Sequence, residues 1–192
     1  MTSSEDTGPL SFEDATDLDS WLSAHPPPCP GLWVRIAKKG SGIPSASAAD
    51  VNDLALCHGW ITGQRKGLDD AYYLQRITPR RPGSLWSLVN VRRIEELTAA
   101  GRMRPGGLAE VAAARADGRW GAAYASQKEA EVPEDLAAAL ERNPRAAAAF
   151  AALGRTDRYL AMLGVLRART ARSRAAQVAA AVRKLESAGP DG

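Results

Sequence analysis

Three segments of the chain have the alternation of hydrophobic and polar residues that is typical of β-strands. The first is residues 32–38, in which every second side chain is a large aliphatic one. Residues 60–64 and 72–78 form the other two and are separated by the polar loop 66–70. Two strand-like runs with a short polar connection predict a β-hairpin.

The other hydrophobic positions recur with the helical period of three to four residues. A short helix is predicted over residues 12–24. Ser47 and Asp50 have the spacing of a capping box, which predicts a helix from there to about His58, closed by Gly59. Further helices are predicted to begin near Ser84 or Ser87 and at Pro105, and to cover 134–142, 144–153 and 156–185. Gly164 and residues 170–173 are predicted to divide the last of these in two.

These elements predict an α+β fold, in which a small antiparallel sheet packs with helices and a C-terminal helical module follows. The predicted organisation is a disordered N-terminus at 1–10, an α+β domain at 11–125 and a helical module at 132–187. A length of 192 residues with 45% hydrophobic residues is sufficient for one sizeable core with an appendage.

The composition narrows the possible functions without selecting one. A net charge of +3 does not by itself indicate a nucleic-acid partner. The polar N-terminus lacks an apolar signal segment and no run is long enough for a membrane span, so a cytoplasmic bacterial protein is expected. Cys29 and Cys57 lack the spacing of a zinc site, and a disulfide between them is conceivable but not expected without a sign of secretion. We expect neither a metal nor a cofactor.

Two short motifs contain more Trp, His, Arg, Ser and Asn residues than core packing requires. The first is Ala-Leu-Cys-His-Gly-Trp-Ile at residues 55–61, and the second runs from Pro79-Arg80 to Asn90. Together with the motifs around 101–103, 118–120 and 132–133, they resemble the YdeI/OmpD-associated family over residues 21–185.

The resemblance implies an association with outer-membrane-protein expression or with protection against antimicrobial peptides. The chain departs from the family pattern at three places. His58 replaces a common aromatic residue, Thr62 replaces a usual acidic residue, and Thr170 stands where the family has an acidic residue before Thr and Arg. If the acidic residues carry a shared function, this protein has altered it. If His58 serves chemistry, this member is specialised.

His58 is the candidate catalytic residue. It continues the apolar face of the helix that precedes it, so one interpretation is a core histidine bonded to a backbone carbonyl. The other interpretation is a general base or a ligand donor. The second histidine, His25, lies beside prolines and offers no evident catalytic partner.

A candidate ligand-binding set surrounds the predicted hairpin and the helix after it. Arginine side chains close to the first amide groups of a helix form a plausible anion site, although they are also compatible with ion pairs or simple solvation. The tryptophans are compatible with core positions or with a pocket wall. The set consists of Trp60, Arg76, Arg80, Ser84, Trp86, Ser87 and Asn90.

Two functions from different classes follow. In the first, the protein binds a small anionic or amphipathic molecule between the hairpin and the Ser84 helix and has a resistance or stress-related role. In the second, the same pocket is the active site of a small-molecule enzyme of specialised metabolism, with His58 as acid or base and arginine as oxyanion support. No nucleic-acid partner is expected, because the arginines of the C-terminal helices are dispersed. The sequence leaves the oligomeric state open.

Overall fold

The computed structural model describes residues 8–188, and within them the chain forms four strands and eight helices. The strands are β1 (Leu10–Ser11), β2 (Leu32–Ala37), β3 (Trp60–Gly67) and β4 (Tyr72–Pro79). The helices are α1 (Ala15–Ala24), α2 (Ala48–Cys57), α3 (Leu88–Ala99), α4 (Pro105–Ala116), α5 (Glu134–Glu141), α6 (Pro144–Ala152), α7 (Arg155–Arg167) and α8 (Ala171–Ala188). The α+β class is confirmed.

The strands form one sheet in the order β1-β2-β4-β3. The predicted hairpin is confirmed, because β3 and β4 pair antiparallel, and β2 adds antiparallel to the other side of β4. The sheet also contains a parallel pair that the sequence did not reveal, between β1 and β2. β1 is only two residues long, so no periodic pattern could indicate it.

The inner face of the sheet holds the core of this part of the chain. Leu32, Val34 and Ile36 of β2 are buried on it with Ile77 of β4. Helices α1 and α2 contribute the other large members of the cluster, Leu18, Leu22, Val51 and Leu54. The capping box of α2 is formed as predicted, with the Ser47 hydroxyl accepting from the Asp50 amide and the Asp50 carboxylate accepting from the Ser47 amide.

Strand β3 contains a β-bulge between Thr62 and Arg65. The side chain of Gln75, which is only 5% exposed, donates to the carbonyl oxygens of Gly63 and Gln64 at 3.0 and 3.2 Å. Its own oxygen accepts from Nε of Arg65 at 3.1 Å. A buried amide is tolerated when its hydrogen bonds are made, so Gln75 holds the bulge in place.

The chain divides into two compact units. One comprises residues 8–84 and 90–121, and the other comprises residues 85–89 and 122–188. Most of the segment predicted to be disordered, 1–10, lies outside the described residues, and its last residue, Leu10, belongs to β1.

The second unit contains helices α5 to α8. Its core consists of Leu136, Leu140, Ala146, Phe150, Met162 and Leu185. The predicted division of the last helix near residues 170–173 is confirmed, because α7 ends at Arg167 and α8 begins at Ala171. The division predicted at Gly164 is wrong, because Gly164 lies inside α7. None of the helices within residues 8–188 combines the length and apolar character that crossing a bilayer requires.

Candidate functional site

The site begins at a close junction between α2 and α4. The amide of Arg104 donates to the carbonyl oxygen of Cys57, the last residue of α2, at 3.1 Å. A Cβ atom on Gly107 would lie 2.2 Å from that oxygen, and one on Gly106 would lie 2.7 Å from the carbonyl oxygen of His58. Two glycines after Pro105 therefore allow the N-terminus of α4 to abut the C-terminus of α2. The opposite partial charges of the two helix ends attract each other there.

Three charged or titratable side chains meet at this junction. His58 caps α2 and is 8% exposed, and its Nε2 lies 2.7 Å from Oδ1 of Asp19 on α1. Arg104 donates from Nη2 to Oδ2 of Asp19 and, at 3.3 Å, from Nε to Oδ1. The core interpretation of His58 expected a backbone carbonyl as its partner, whereas the structure provides a carboxylate.

The charge state of Asp19 fixes the proton on His58. The hydrogen bond from Arg104 lowers the pKa of Asp19, and the bond to His58 acts in the same direction against the opposing effect of burial. Asp19 in turn raises the pKa of Arg104. An ionised carboxylate is an acceptor only, so Nε2 of His58 carries the proton that points at Asp19. In the neutral imidazole, Nδ1 is then the acceptor.

His58 and Trp60 line one cavity of about 250 Å³. Trp60 is fully buried and meets Trp21 edge to face, with ring centroids 6.1 Å apart. Most of the lining is apolar, and the polar groups are those of His58, Arg104 and Ser23. The cavity is lined by Leu22, Ser23, Pro26, Pro27, His58, Trp60, Arg104, Pro105 and Gly106.

The predicted arginine and serine residues do not line this cavity. Nη2 of Arg76 donates to the carbonyl oxygen of Pro30 at 2.7 Å. Arg80 is 6% exposed, and its amide donates to the carbonyl oxygen of Gly59 at 3.0 Å. The hydroxyl of Ser84 donates to the carbonyl oxygen of Arg81.

The remaining predicted residues lie around the start of α3. Trp86 and Ser87 belong to the second unit, where Trp86 is 1% exposed and Ser87 forms a β-bridge with Tyr124. Trp60 and Trp86 are both buried, as the core interpretation expected, and Trp60 also lines the cavity. Asn90 lies in α3 and belongs to the first unit.

Two members of the junction, Asp19 and Arg104, were not among the sequence candidates. They are separated by 85 positions, and no local pattern links either of them to His58. The only local signal was the Arg-Pro-Gly-Gly run at 104–107, which places a polar side chain at the start of a helix. Cys57 is buried as a small core residue, and burial raises the pKa of its thiol.

The second unit has larger depressions. One of them, of about 650 Å³, lies between α5 and α8 and is lined mainly by alanine and valine. Of the three arginines that line it, Arg174 is already paired with Asp135. The smaller cavity is the better candidate site, because it combines enclosure by large side chains with several polar groups that converge on one space. Within residues 8–188, no three His, Cys, Asp or Glu side chains are grouped so that they could hold a metal ion.

Together, these features define a two-unit α+β protein with a small, mostly apolar cavity beside a carboxylate–imidazole–guanidinium cluster. The chain belongs to the family described as Domain of unknown function (DUF8412), whose model matches residues 10–110. Residues 129–188 match the family described as Bacteriocin-protection, YdeI or OmpD-Associated, which confirms the predicted resemblance over that C-terminal part. Neither a curated protein nor a solved structure matches the chain.

Proposed function

We propose that the cavity beside His58 binds a small molecule with an apolar body and an anionic or hydrogen-bonding head. The observation that carries this proposal is the convergence of His58, Trp60 and Arg104 on one space of about 250 Å³. A volume slightly below the usual range for drug-sized ligands suits a small metabolite.

Each wall of the cavity offers a different interaction. The indole of Trp60 and the proline rings supply apolar contact for a flat or aliphatic body. A guanidinium has five N–H donors. Asp19 accepts from Nε and Nη2 of Arg104, so other N–H groups of this arginine can bind an anionic head. Nδ1 of His58 accepts a hydrogen bond from a ligand hydroxyl or amide.

The C-terminal match suggests the biological setting. Its family description includes bacteriocin protection, so we propose a resistance or stress-related role for the protein in the cytoplasm. In this proposal, the cavity of the first unit senses or sequesters a small anionic or amphipathic compound. The C-terminal unit then connects that event to protection.

The binding proposal is tested with benzoate as the anionic probe and benzyl alcohol as its neutral counterpart. Calorimetry and the fluorescence of the tryptophans report binding. We expect benzoate to bind more tightly, and Arg104→Gln to reduce that preference by about tenfold, as for one charge-assisted bond. Arg81→Gln removes an exposed arginine outside the cavity and serves as the control. Equal binding by wild type and Arg104→Gln, with no preference for benzoate, contradicts the proposal.

The Asp19–His58 pair favours a second function, catalysis of proton transfer. A carboxylate that holds Nε2–H leaves Nδ1 as a general base whose orientation is fixed. In a largely apolar cavity, such a base would act on a carbon-bound proton of a small substrate, while Arg104 stabilises developing negative charge.

The probe for the second function is 5-nitrobenzisoxazole, whose ring opens when a base removes its carbon-bound proton. Catalysis at the cavity predicts that His58→Gln lowers the elimination rate by roughly 10²–10⁴-fold while benzoate binding persists. His25→Gln removes the other histidine and should leave the rate unchanged. If both histidine variants retain the wild-type rate, or if the wild type does not accelerate the elimination, His58 is a binding residue only.

A further inference from the structure

We propose that the outer face of the sheet, defined by Trp33, Arg35, Lys66, Tyr72 and Arg76, binds single-stranded nucleic acid. The alternation of β2 assigns this face, because the side chains between the buried aliphatic ones point away from the core. Trp33 pairs with Arg76 across β2 and β4, and Ala37 pairs with Tyr72. These residues therefore share one side of the sheet.

The β-bulge brings Lys66 to the same face. Thr62 pairs with Ile77, which is fully buried, so a regular strand would place Lys66 on that inner side as well. The bulge adds a residue to β3 and aligns Lys66 with Leu74, which in turn pairs with Arg35. Bulges commonly redirect a side chain in this way. Lys66 consequently lies with Arg35 on the outer face.

The indole of Trp33 extends across the middle of this face. Nζ of Lys66 lies 4.3 Å from its ring centroid, and Cζ of Arg76 lies 5.6 Å from it. Strand β4 separates the strand of Trp33 from that of Lys66, so the ring must reach over β4 to meet the lysine. Leu74 of β4 is only 3% exposed although it points outward, which fits a side chain covered in this way.

The positive charges of the outer face are not neutralised. Within residues 8–188, Arg35, Lys66 and Arg76 form no ion pair with a carboxylate, whereas Arg93, Arg104 and Arg174 all do. Arg35 and Lys66 are exposed to solvent. The carboxylate of Asp69, in the adjoining turn, is bound to the amides of Ala71 and Tyr72. The face therefore has a surplus of positive charge around an aromatic ring.

A single strand of nucleic acid fits this combination better than other polyanions. Trp33 and Tyr72 lie on the face at positions that are about 13 Å apart along the strands, and an unpaired strand can place separate bases on such aromatic platforms. Arg35, Lys66 and Arg76 lie close to these two rings and can contact the phosphates of the same strand. A duplex hides the faces of its bases, and an acidic peptide would leave the indole without a stacking partner. No nucleic-acid partner was expected from the small net charge and the dispersed arginines of the C-terminal helices, and neither of these reflects the charges that the sheet brings together on one face.

The test measures the affinity of a short fluorescent oligothymidylate for the full chain by anisotropy over a range of salt concentrations. Trp33→Ala should weaken binding about 5- to 150-fold through lost stacking and leave the salt dependence unchanged. Lys66→Gln should instead reduce the slope of log affinity against log salt by about 0.7, the value for one phosphate contact with a single strand. Lys184→Gln on α8 removes the same charge elsewhere and should change neither quantity.

Three results would each overturn the proposal. One is no detectable binding of the oligothymidylate at low salt by a protein whose circular dichroism shows that it is folded. Another is equal loss of affinity in Lys66→Gln and Lys184→Gln, because binding would then follow net charge. The third is binding of a duplex of equal length or of phosphatidylserine vesicles at least as tight as that of the oligothymidylate and equally sensitive to Trp33→Ala.

Discussion

Gly107→Ala is the substitution expected to disrupt the candidate site most directly. The new Cβ would lie 2.2 Å from the carbonyl oxygen of Cys57 and 2.8 Å from that of Leu56. Both obstacles are backbone atoms of α2, so the start of α4 must move by more than an ångström. Overpacking of this kind costs up to about 3 kcal/mol, and losing the bond from the Arg104 amide adds about 1 kcal/mol. The better helix propensity of alanine returns about 1 kcal/mol.

The net expectation is a loss of about 2–3 kcal/mol in the free energy of unfolding. Chemical denaturation followed by tryptophan fluorescence measures it, because four of the five tryptophans lie in the first unit. Arg104 would move with the start of α4, so the preference of the cavity for benzoate should weaken as well.

Gly164→Ala in α7 provides a matched control. Its Cβ would lie 2.3 Å from Oε1 of Gln177, which is within 0.1 Å of the corresponding distance at Gly107. Here the obstacle is the far end of a flexible side chain, which can rotate away. We expect Gly164→Ala to leave stability unchanged or to raise it by up to about 1 kcal/mol through helix propensity. If both variants lose the same stability, the backbone contact between α2 and α4 is not what makes Gly107 necessary.

Two further predictions concern ionisable groups. Cys57 should react with a thiol reagent much more slowly than Cys29 in the folded protein, because it is buried and its thiol pKa is raised, and equal labelling rates by mass spectrometry would contradict this. Asp19 and Asp135 have pKa values below the ordinary value of about 3.9, mainly because of their bonds from Arg104 and Arg174. Both carboxylates therefore stabilise the fold fully above the ordinary pKa, and this contribution is lost as the pH falls through their lower pKa values in the folded protein. The free energy of unfolding, measured from pH 5 downward, should decline less steeply in Asp135→Asn than in the wild type.

Local patterns predicted most of the secondary structure. The capping box at Ser47, the hairpin and the helix start at Pro105 each depend on residues within a few positions of one another, and all three are confirmed. Gly164 shows the opposite case. A glycine in a helical run suggests a break, but here it makes room for Gln177 of the neighbouring helix, which only the packing of α7 and α8 reveals.

The candidate site is formed by residues that are distant in the sequence, so local patterns could predict only part of it. His58 and Trp60 lie in one short motif at residues 55–61, and both were candidates. Asp19 bonds to His58, which is 39 positions away in the sequence, and Arg104 donates to Asp19 across 85 positions. No period or spacing relates such residues, since their proximity arises from the packing of α1, α2 and α4. Arg76 and Arg80 were predicted at the site because they precede the first amide groups of the Ser84 helix, and they do not line the cavity.

The bulge in β3 shows how one irregularity in a strand changes the chemistry of a surface. In a regular β3, Lys66 would point to the same inner side as Thr62. Such a strand would need no buried amide at position 75. The chain instead buries Gln75 and uses its amide on the carbonyls of Gly63 and Gln64. Burying a polar group offers no stability advantage over an aliphatic one, so the arrangement is better explained by what it positions. It positions Lys66 above Trp33, near Arg35 and Arg76, and none of these three cations is paired with a carboxylate within residues 8–188, which is an arrangement suited to a polyanion.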